Sequence, residues 1–384
     1  MVVLHGLLHL LGAVKGLGWA NVSQLNEPIH AAMGIGWLVG AVLVVGAGVL
    51  LAVPSPWWWV LGGAAAVVSQ ALIITSWGDA KAGTAVNVLL LVAAVHEYAA
   101  RGPRSFRAGY RREVAAALAE PTARPLVTEA DLVPLPALVA QYVRRCGAVG
   151  QPRVANLRAG IHGRIRGGAA KPWMVFTGEQ VNTYGASPTR LFFIDATMFG
   201  LPVDVLHMFT DDSATMRVKL GSLVTMVDAS GPELDRAETV TLFNDLCVLA
   251  PGALVGAPIT WGNAEGLRVR GAFTKGDHTV TAELVFDGNG DLVDFISDDR
   301  SSSSADGKQF TPRRWSTPVG RYRAVGGRRV ATFGEPRWHS PPPEGEFAYL
   351  EFHVDDIDYN LDTTAHIDTT TADHTRWLAL GGSR

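Results

Sequence analysis

A chain of 384 residues exceeds what one hydrophobic core usually organises, so two or three domains are expected. Its net charge of −3 lacks the basic surplus of a nucleic-acid binder, and its two cysteines, Cys146 and Cys247, are too few for a disulfide framework and read as buried thiols. The average hides two unlike parts: residues 1–100 carry only five charged side chains, Lys15, Glu27, Asp79, Lys81 and Glu97, and all the others follow them.

A helix needs roughly 20 apolar residues to cross a hydrocarbon core about 30 Å thick. Four such runs occur, at 2–20, 31–53, 57–77 and 82–100, divided by residues 21–30, by Pro54-Ser55-Pro56 and by Gly78-Asp79-Ala80-Lys81. Residues 1–100 are therefore expected to form a membrane α-helical bundle of four spans. Small residues such as Gly62, Gly63 and Ala64 let such helices approach closely, and Trp57, Trp58, Trp59 and Trp77 sit where an aromatic belt would lie. Met1-Val2-Val3-Leu4 supplies no basic start, so a cleaved signal peptide is not expected. Arg101, Arg104, Arg107, Arg111 and Arg112 directly follow the fourth run. Basic flanks stay inside, which predicts a multi-pass protein of the inner membrane with its N-terminus and everything after Arg101 in the cytoplasm.

Polar side chains within spans are costly and prompt a functional reading. His5 and His9 lie one helical turn apart and share a face, and the expected topology brings His96 and Glu97 to the same depth. Three imidazoles and a carboxylate at one level fit a metal, a haem or a proton relay; they also fit hydrogen bonding between helices, which is the preferred reading. Lys15 and Asp79 are expected to form an ion pair towards the outer side, where Lys81 also lies. Ser69, Gln70 and Asn87 read as polar glue between helices.

Residues 101–150 form a basic amphipathic linker. Phe106, Tyr110, Val114 and Leu118 recur at helical spacing beside the arginines, as in a helix lying on an anionic membrane surface. Pro121, Pro125, Pro134 and Pro136 follow, with a short helix expected over 137–146.

Residues 151–361 switch to period-two patterning. Strands are predicted at 191–199, 203–209, 215–227, 267–274, 279–286 and 292–297, and near 329–333 and 347–354. Asp287-Gly288-Asn289-Gly290 joins two of them as a hairpin. One helix interrupts at 236–249, with Asp235 and Glu238 as a capping box and Val240, Phe243, Leu246 and Cys247 as an apolar stripe. Such a stripe needs a sheet to cover, which predicts a soluble α+β domain: a curved antiparallel sheet with a helix crossing its concave face. Residues 301–307 read as a flexible loop and 362–384 as a loosely ordered tail.

The run 287–291 begins like a calcium loop, but Leu292 replaces the glycine that motif needs and strands flank it, so no metal site is assigned. The acidic turn at Asp355, Asp356 and Asp358 reads as solvated. No phosphate-binding loop, dinucleotide fingerprint or nucleophile elbow occurs in this half, which leaves the cofactor unknown. The densest polar cluster beside predicted core is Asp298-Asp299-Arg300; with Trp261 and Trp315 it supplies the candidate ligand contacts, Trp338 being a further candidate wall.

Several stretches together resemble an uncharacterised bacterial family that pairs four membrane helices with a soluble domain of unknown function. They are 5–12 (HGLLHLLG), 76–87 (SWGDAKAGTAVN), 231–234 (GPEL), 238–245 (ETVTLFND), 249–251, 259–261 and 295–300 (FISDDR). The resemblance implies the two-part design without a mechanism, and the sheet with its crossing helix is loosely similar to the half-barrel carriers of bacterial lipoproteins. The expected function is a membrane-anchored module whose half-barrel holds an apolar or lipid-like small molecule beside the bilayer. The alternatives are a membrane redox, haem or metal enzyme working at its intramembrane histidines, and a membrane-anchored protein-interaction domain.

Overall fold

The computed structural model describes residues 1–362 except Pro54, Pro56, Pro121 and Ala305, so the expected tail at 362–384 lies, beyond its first residue, outside the described residues. Two compact units emerge, residues 1–109 with 220–224, and residues 110–219 with 225 onwards.

The first unit contains α1 (Val2–Gly16), α2 (Ala31–Leu50), α3 (Trp58–Thr75), the single turn α4 (Trp77–Ala80) and α5 (Gly83–Arg101). Glycine sets how closely α1 meets α2. A Cβ on Gly16 would fall 2.6 Å from the Gly34 Cα, and one on Gly12 would fall 2.7 Å from the Trp37 ring. Val44, Ala47, Trp58, Ala65, Ala66, Leu90 and Ala94 form the shared core of α2, α3 and α5. Leu4, Leu8, Val42, Val67, Ile74 and Val92 point outward and are more than half exposed, so the helices are apolar on both sides.

Ala31–Leu50, Trp58–Thr75 and the stretch from Gly83 are long and apolar enough to cross a membrane. The first run falls short of its predicted length. Its helix stops at Gly16, and Gly18 turns the chain with φ +70°; 15 residues span about 22 Å, less than a hydrocarbon core.

The second unit carries α6 (Phe106–Ala119, from Tyr110 onward), α7 (Glu129–Leu132) and α8 (Ala137–Arg145). Its first six strands are β1 (Asn156–Ile165), β2 (Met174–Thr183), β3 (Thr189–Met198), β4 (Leu201–Thr210), β5 (Ser213–Leu220) and β6 (Val224–Ser230). After α9 (Pro232–Leu249) come β7 (Ile259–Glu265), β8 (Arg268–Lys275), β9 (His278–Phe286), β10 (Leu292–Ser303), β11 (Phe310–Ser316) and β12 (Val319–Gly320). The chain ends with β13 (Arg323–Val325), β14 (Arg328–Val330), β15 (Phe333–Gly334), β16 (Arg337–His339), β17 (Glu346–Ala348) and β18 (Leu350–Tyr359). They build a nine-stranded sheet, β12-β15-β18-β1-β2-β3-β4-β5-β6, a seven-stranded sheet, β17-β16-β11-β10-β9-β8-β7, and the separate hairpin β13-β14. Both large sheets are antiparallel and end in free edges, so they curve without closing a barrel.

Four expectations change. α9 begins at Pro232 rather than at 236: proline suits the first turn because its missing N–H would have no partner there, and Asp235 accepts a bond from the Ala214 N–H at 2.6 Å instead of capping. Residues 237–249 are buried on every side, so α9 is enclosed rather than laid by one stripe on one sheet. The predicted strand 215–227 is two strands, because Gly221 and Ser222 take positive φ and make a hairpin turn. The expected loop at 301–307 begins only after Ser303, because β10 runs on and pairs with β11.

The linker helix also differs. Tyr110, Val114 and Leu118 are buried within protein, the Tyr110 ring lying 6.0 Å from that of Phe193 on β3. An apolar face already covered by a sheet cannot also lie in a headgroup layer.

Candidate functional site

The second unit holds a partly open cavity of about 600 Å³ between its two large sheets, with one face of α9 along it. Alternation along the strands of the nine-stranded sheet aims Ile161, Phe176, Phe192, Ile194, Val203 and Val205 into this space. Trp315 and Trp338 line it from neighbouring strands of the other sheet, which pair at these two positions.

One pole of the cavity is polar. Arg190 reaches from β3 to two carboxylates on α9, meeting Glu238 at 3.0 Å and Asp245 at 2.7 Å. Those acids are seven residues apart, two helical turns, and therefore share a face. Gln180 and Asn182 donate to the Asp245 oxygen that Arg190 also engages, at 2.7 and 3.3 Å. Arg300 enters from β10. It meets Glu238 at 3.7 Å and the Tyr349 hydroxyl at 3.0 Å, and its guanidinium stands 4.5 Å from the centre of the Trp315 ring. The His207 ring approaches Glu238 at 3.8 Å.

Burial pushes the Glu238 carboxyl up, but Arg190, His207 and Arg300 together outweigh it and hold the group well below the usual carboxylate range. Burial likewise opposes the charge on Arg190, and Asp245 and Glu238 overcome it. The result is a desolvated, charge-balanced patch facing an apolar wall.

Of the predicted contacts, the structure brings Arg300 and Trp315 to the cavity, with Trp338. Asp298 turns away to an exposed pair with Arg314 at 2.9 Å, and Asp299 is taken by Arg236 and by the Thr281 N–H and hydroxyl. Three consecutive residues thus face three ways, and the cluster is no single site. Trp261 packs 6.5 Å from the Phe243 ring, outside the cavity lining. Arg190, Glu238, Asp245, Gln180, His207 and Asn244 escape the sequence reading. The available signal was two acids seven apart on a helix otherwise rich in buried residues.

In the helical unit the expected hydrogen bonding between helices is present, whereas the shared level of three histidines and the Lys15–Asp79 pair are not. His5 Nε2 meets Asn87 Oδ1 at 3.1 Å and Ser69 at 3.3 Å, while His9 Nε2 meets Ser69 at 2.8 Å. Asn87 in turn donates to Gln70, which donates to Thr84, so these residues form an interhelical hydrogen-bond network. His96 follows Asn87 by nine residues, about 13.5 Å along a helix, so it does not share the level of His5. Instead His96 meets the Gly221 carbonyl at 3.0 Å, and Glu97 pairs with Arg101 at 3.3 Å. Among the described residues no group of three or more His, Cys, Asp or Glu side chains is arranged to hold a metal. The expected Lys15–Asp79 pair is replaced by a shared hold on one loop. Lys15 donates to the carbonyls of Leu25 and Glu27, and Asp79 accepts from the N–H groups of Asn26 and Glu27. Lys81 is exposed.

Asp287 caps its own turn by accepting from the N–H groups of Asn289 and Asp291, and Asp291 is gripped by Arg145 and Arg329, so the calcium-like run is a structural corner. Cys146 and Cys247 are buried and free, and burial pushes the Cys146 thiol up to about 12.

The chain belongs to DUF6544, a family of unknown function, whose profile matches residues 125–352. No curated protein matches it. Among solved structures it is similar to a putative outer membrane lipoprotein-sorting protein domain from Vibrio parahaemolyticus, at 8% identity and a TM-score of 0.32 over 56% of this chain and 88% of that one. It is similar also to a DUF1329 family protein from Desulfovibrio piger, at 12% identity and a TM-score of 0.33 over 59% and 92% of the two chains. A third is LprF from Mycobacterium bovis, at 9% identity and a TM-score of 0.21 over 63% and 98%.

Proposed function

We propose that this member of a family of unknown function is a membrane-anchored binding protein whose soluble unit holds an apolar or lipid-like molecule between its two sheets. The observation that carries the reading is the cavity itself. At about 600 Å³ it falls within the roughly 300–1,000 Å³ typical of small-molecule sites, and it combines an apolar wall with a few placed polar groups, as such sites do.

On this reading α1, α2, α3 and α5 serve as a four-helix anchor. Their exposed apolar sides support it, and the shortness of α1 is met by local thinning of the bilayer or by tilt of its neighbours. The arginines following α5 favour a cytoplasmic soluble unit in a multi-pass inner-membrane protein.

The test is native mass spectrometry of the full-length protein beside a variant with Ile194→Trp and Val205→Trp, which fill the cavity. Bound apolar molecules present in the parent and lost from the filled variant support the reading. Identical adducts in both place the lipid on the helices and contradict it, as does a parent free of ligand.

A further inference from the structure

Two buried N–H donors in the cavity wall have no acceptor among the described residues. Asn244 on α9 is 4% exposed, and its Nδ2 makes no hydrogen bond. The Nε of Arg300 is also buried and unpaired, although the same guanidinium meets Tyr349 and Glu238 through its other nitrogens. Native proteins satisfy nearly all buried polar groups, so such orphans point to a missing partner. Both are donors, and what they lack is an oxygen.

Charge favours the same partner. Arg166, Arg190, Arg300 and Arg313 line the cavity against three acids, Glu238, Asp245 and Glu344. Arg166 donates to the carbonyls of Ala348 and Ala169, and Arg313 to the Ser302 hydroxyl, so these two cations sit on neutral oxygens. An ammonium head would need buried carboxylate oxygens, and those of Glu238 and Asp245 already face Arg190, Arg300, Gln180 and Asn182, while Glu344 is exposed to solvent.

We propose that the ligand is an acyl amphiphile whose carboxylate or acyl carbonyl oxygens sit against Arg300 and Asn244, with its chain along the wall formed by Phe176, Phe192, Ile194 and Val205. This rests on the cavity being a binding site, as proposed above. Trp315 lies against Arg300 and holds the plane of its guanidinium at the cavity wall.

The probes are three hexadecyl compounds carrying a diazirine in the chain and ending in a carboxylate, a methyl ester or an alcohol. Each is photo-crosslinked to the full-length protein in phosphatidylcholine nanodiscs, and labelled peptides are read by mass spectrometry. Half-saturation of the cavity strands is expected at a concentration about tenfold lower for the carboxylate than for the alcohol, the scale of a charged hydrogen bond. That preference should fall away in Arg300→Met and in Asn244→Leu; the second variant leaves the Arg190–Glu238–Asp245 network whole. An ester that labels as well as the acid supports the proposal with an esterified lipid as the source, whereas an acid-only preference supports it with a free acid. Equal labelling by acid, ester and alcohol, unchanged in both variants, overturns the head-group assignment and leaves the apolar cavity standing. Absence of cavity labelling by every probe overturns the binding reading as well.

Discussion

Arg190, Glu238 and Asp245 show why burial decides what a charge is worth. The Glu238 side chain is 3% exposed and the Arg190 side chain 8%, so removing one partner strands the others in a medium that cannot solvate them. Arg190→Met is expected to lower the stability of the soluble unit by about 3–5 kcal/mol, read as a shift in its urea midpoint. Asp298→Asn breaks a pair whose members are 66% and 56% exposed, and is expected to change stability by no more than about 1 kcal/mol. Comparable losses in the two variants would contradict this account.

Titration follows the same logic in two directions. Burial raises the Asp294 carboxyl to about 6 despite hydrogen bonds from the N–H groups of Phe295 and Thr317. The folded chain therefore holds a proton there that the unfolded chain releases near 3.8, and stability falls as pH rises between those values. Asp294→Asn should remove that slope and raise stability at pH 7 by on the order of 2 kcal/mol. Glu238 and Asp291 act oppositely, the latter held at about 2 chiefly by its bond from Arg329. Their contribution is present above the ordinary carboxylate range and is lost as pH falls below about 4. Denaturation midpoints from pH 3 to 8 for parent and Asp294→Asn check both signs; a variant that keeps the parent's slope between pH 4 and 6 would refute the first.

Among the elements, those built on repetition were legible in the sequence. The helices at 31–50, 58–75 and 83–101 follow from long, predominantly apolar runs, β8 and β9 from alternation, and β3 and β4 from their β-branched and aromatic residues. β1, β2, β7 and β11 were missed because glycines, polar residues or a proline break their alternation: Gly160 and Gly163 on β1 sit where a Cβ would strike Asp356 and Glu351. The cavity was half legible. Trp315 and Arg300 stood out as bulky or charged residues beside predicted core, whereas Glu238 looked like a cap because only the tertiary fold brings Arg190 to it. α6 shows the same limit, since a pattern of Phe106, Tyr110, Val114 and Leu118 says that a face is covered without saying whether by lipid or by a sheet.

Leu118→Ala should destabilise the soluble unit by about 2–5 kcal/mol, measured by chemical denaturation, and leave membrane fractionation unchanged. Unchanged stability with weakened membrane association would revive the surface-helix reading. In the helical unit, Gly34→Leu drives a side chain into the Gly16 backbone, 2.8 Å from its Cβ position, whereas Gly63→Leu meets nothing within 4 Å. The first should lower thermal stability in detergent by about 1–3 kcal/mol, and the second should leave it near the parent's.

For the whole molecule, the two units differ in what they ask of their surroundings. The helices expose apolar sides that water does not solvate well, while the strand-rich unit carries most of the charge and lines a partly open cavity with apolar side chains. A reporter fused after Asp362 is expected to register in the cytoplasm, and an external signal would overturn the orientation drawn from the arginines after α5. What fills the cavity decides whether it is a binding site. The most direct measurement is an experimental density map of the full-length protein purified into nanodiscs with its co-purifying lipid. Elongated density is expected along Phe176, Phe192 and Val205, ending at Arg300 and Asn244; a cavity holding only discrete water peaks, or one collapsed by side chains, would contradict binding there.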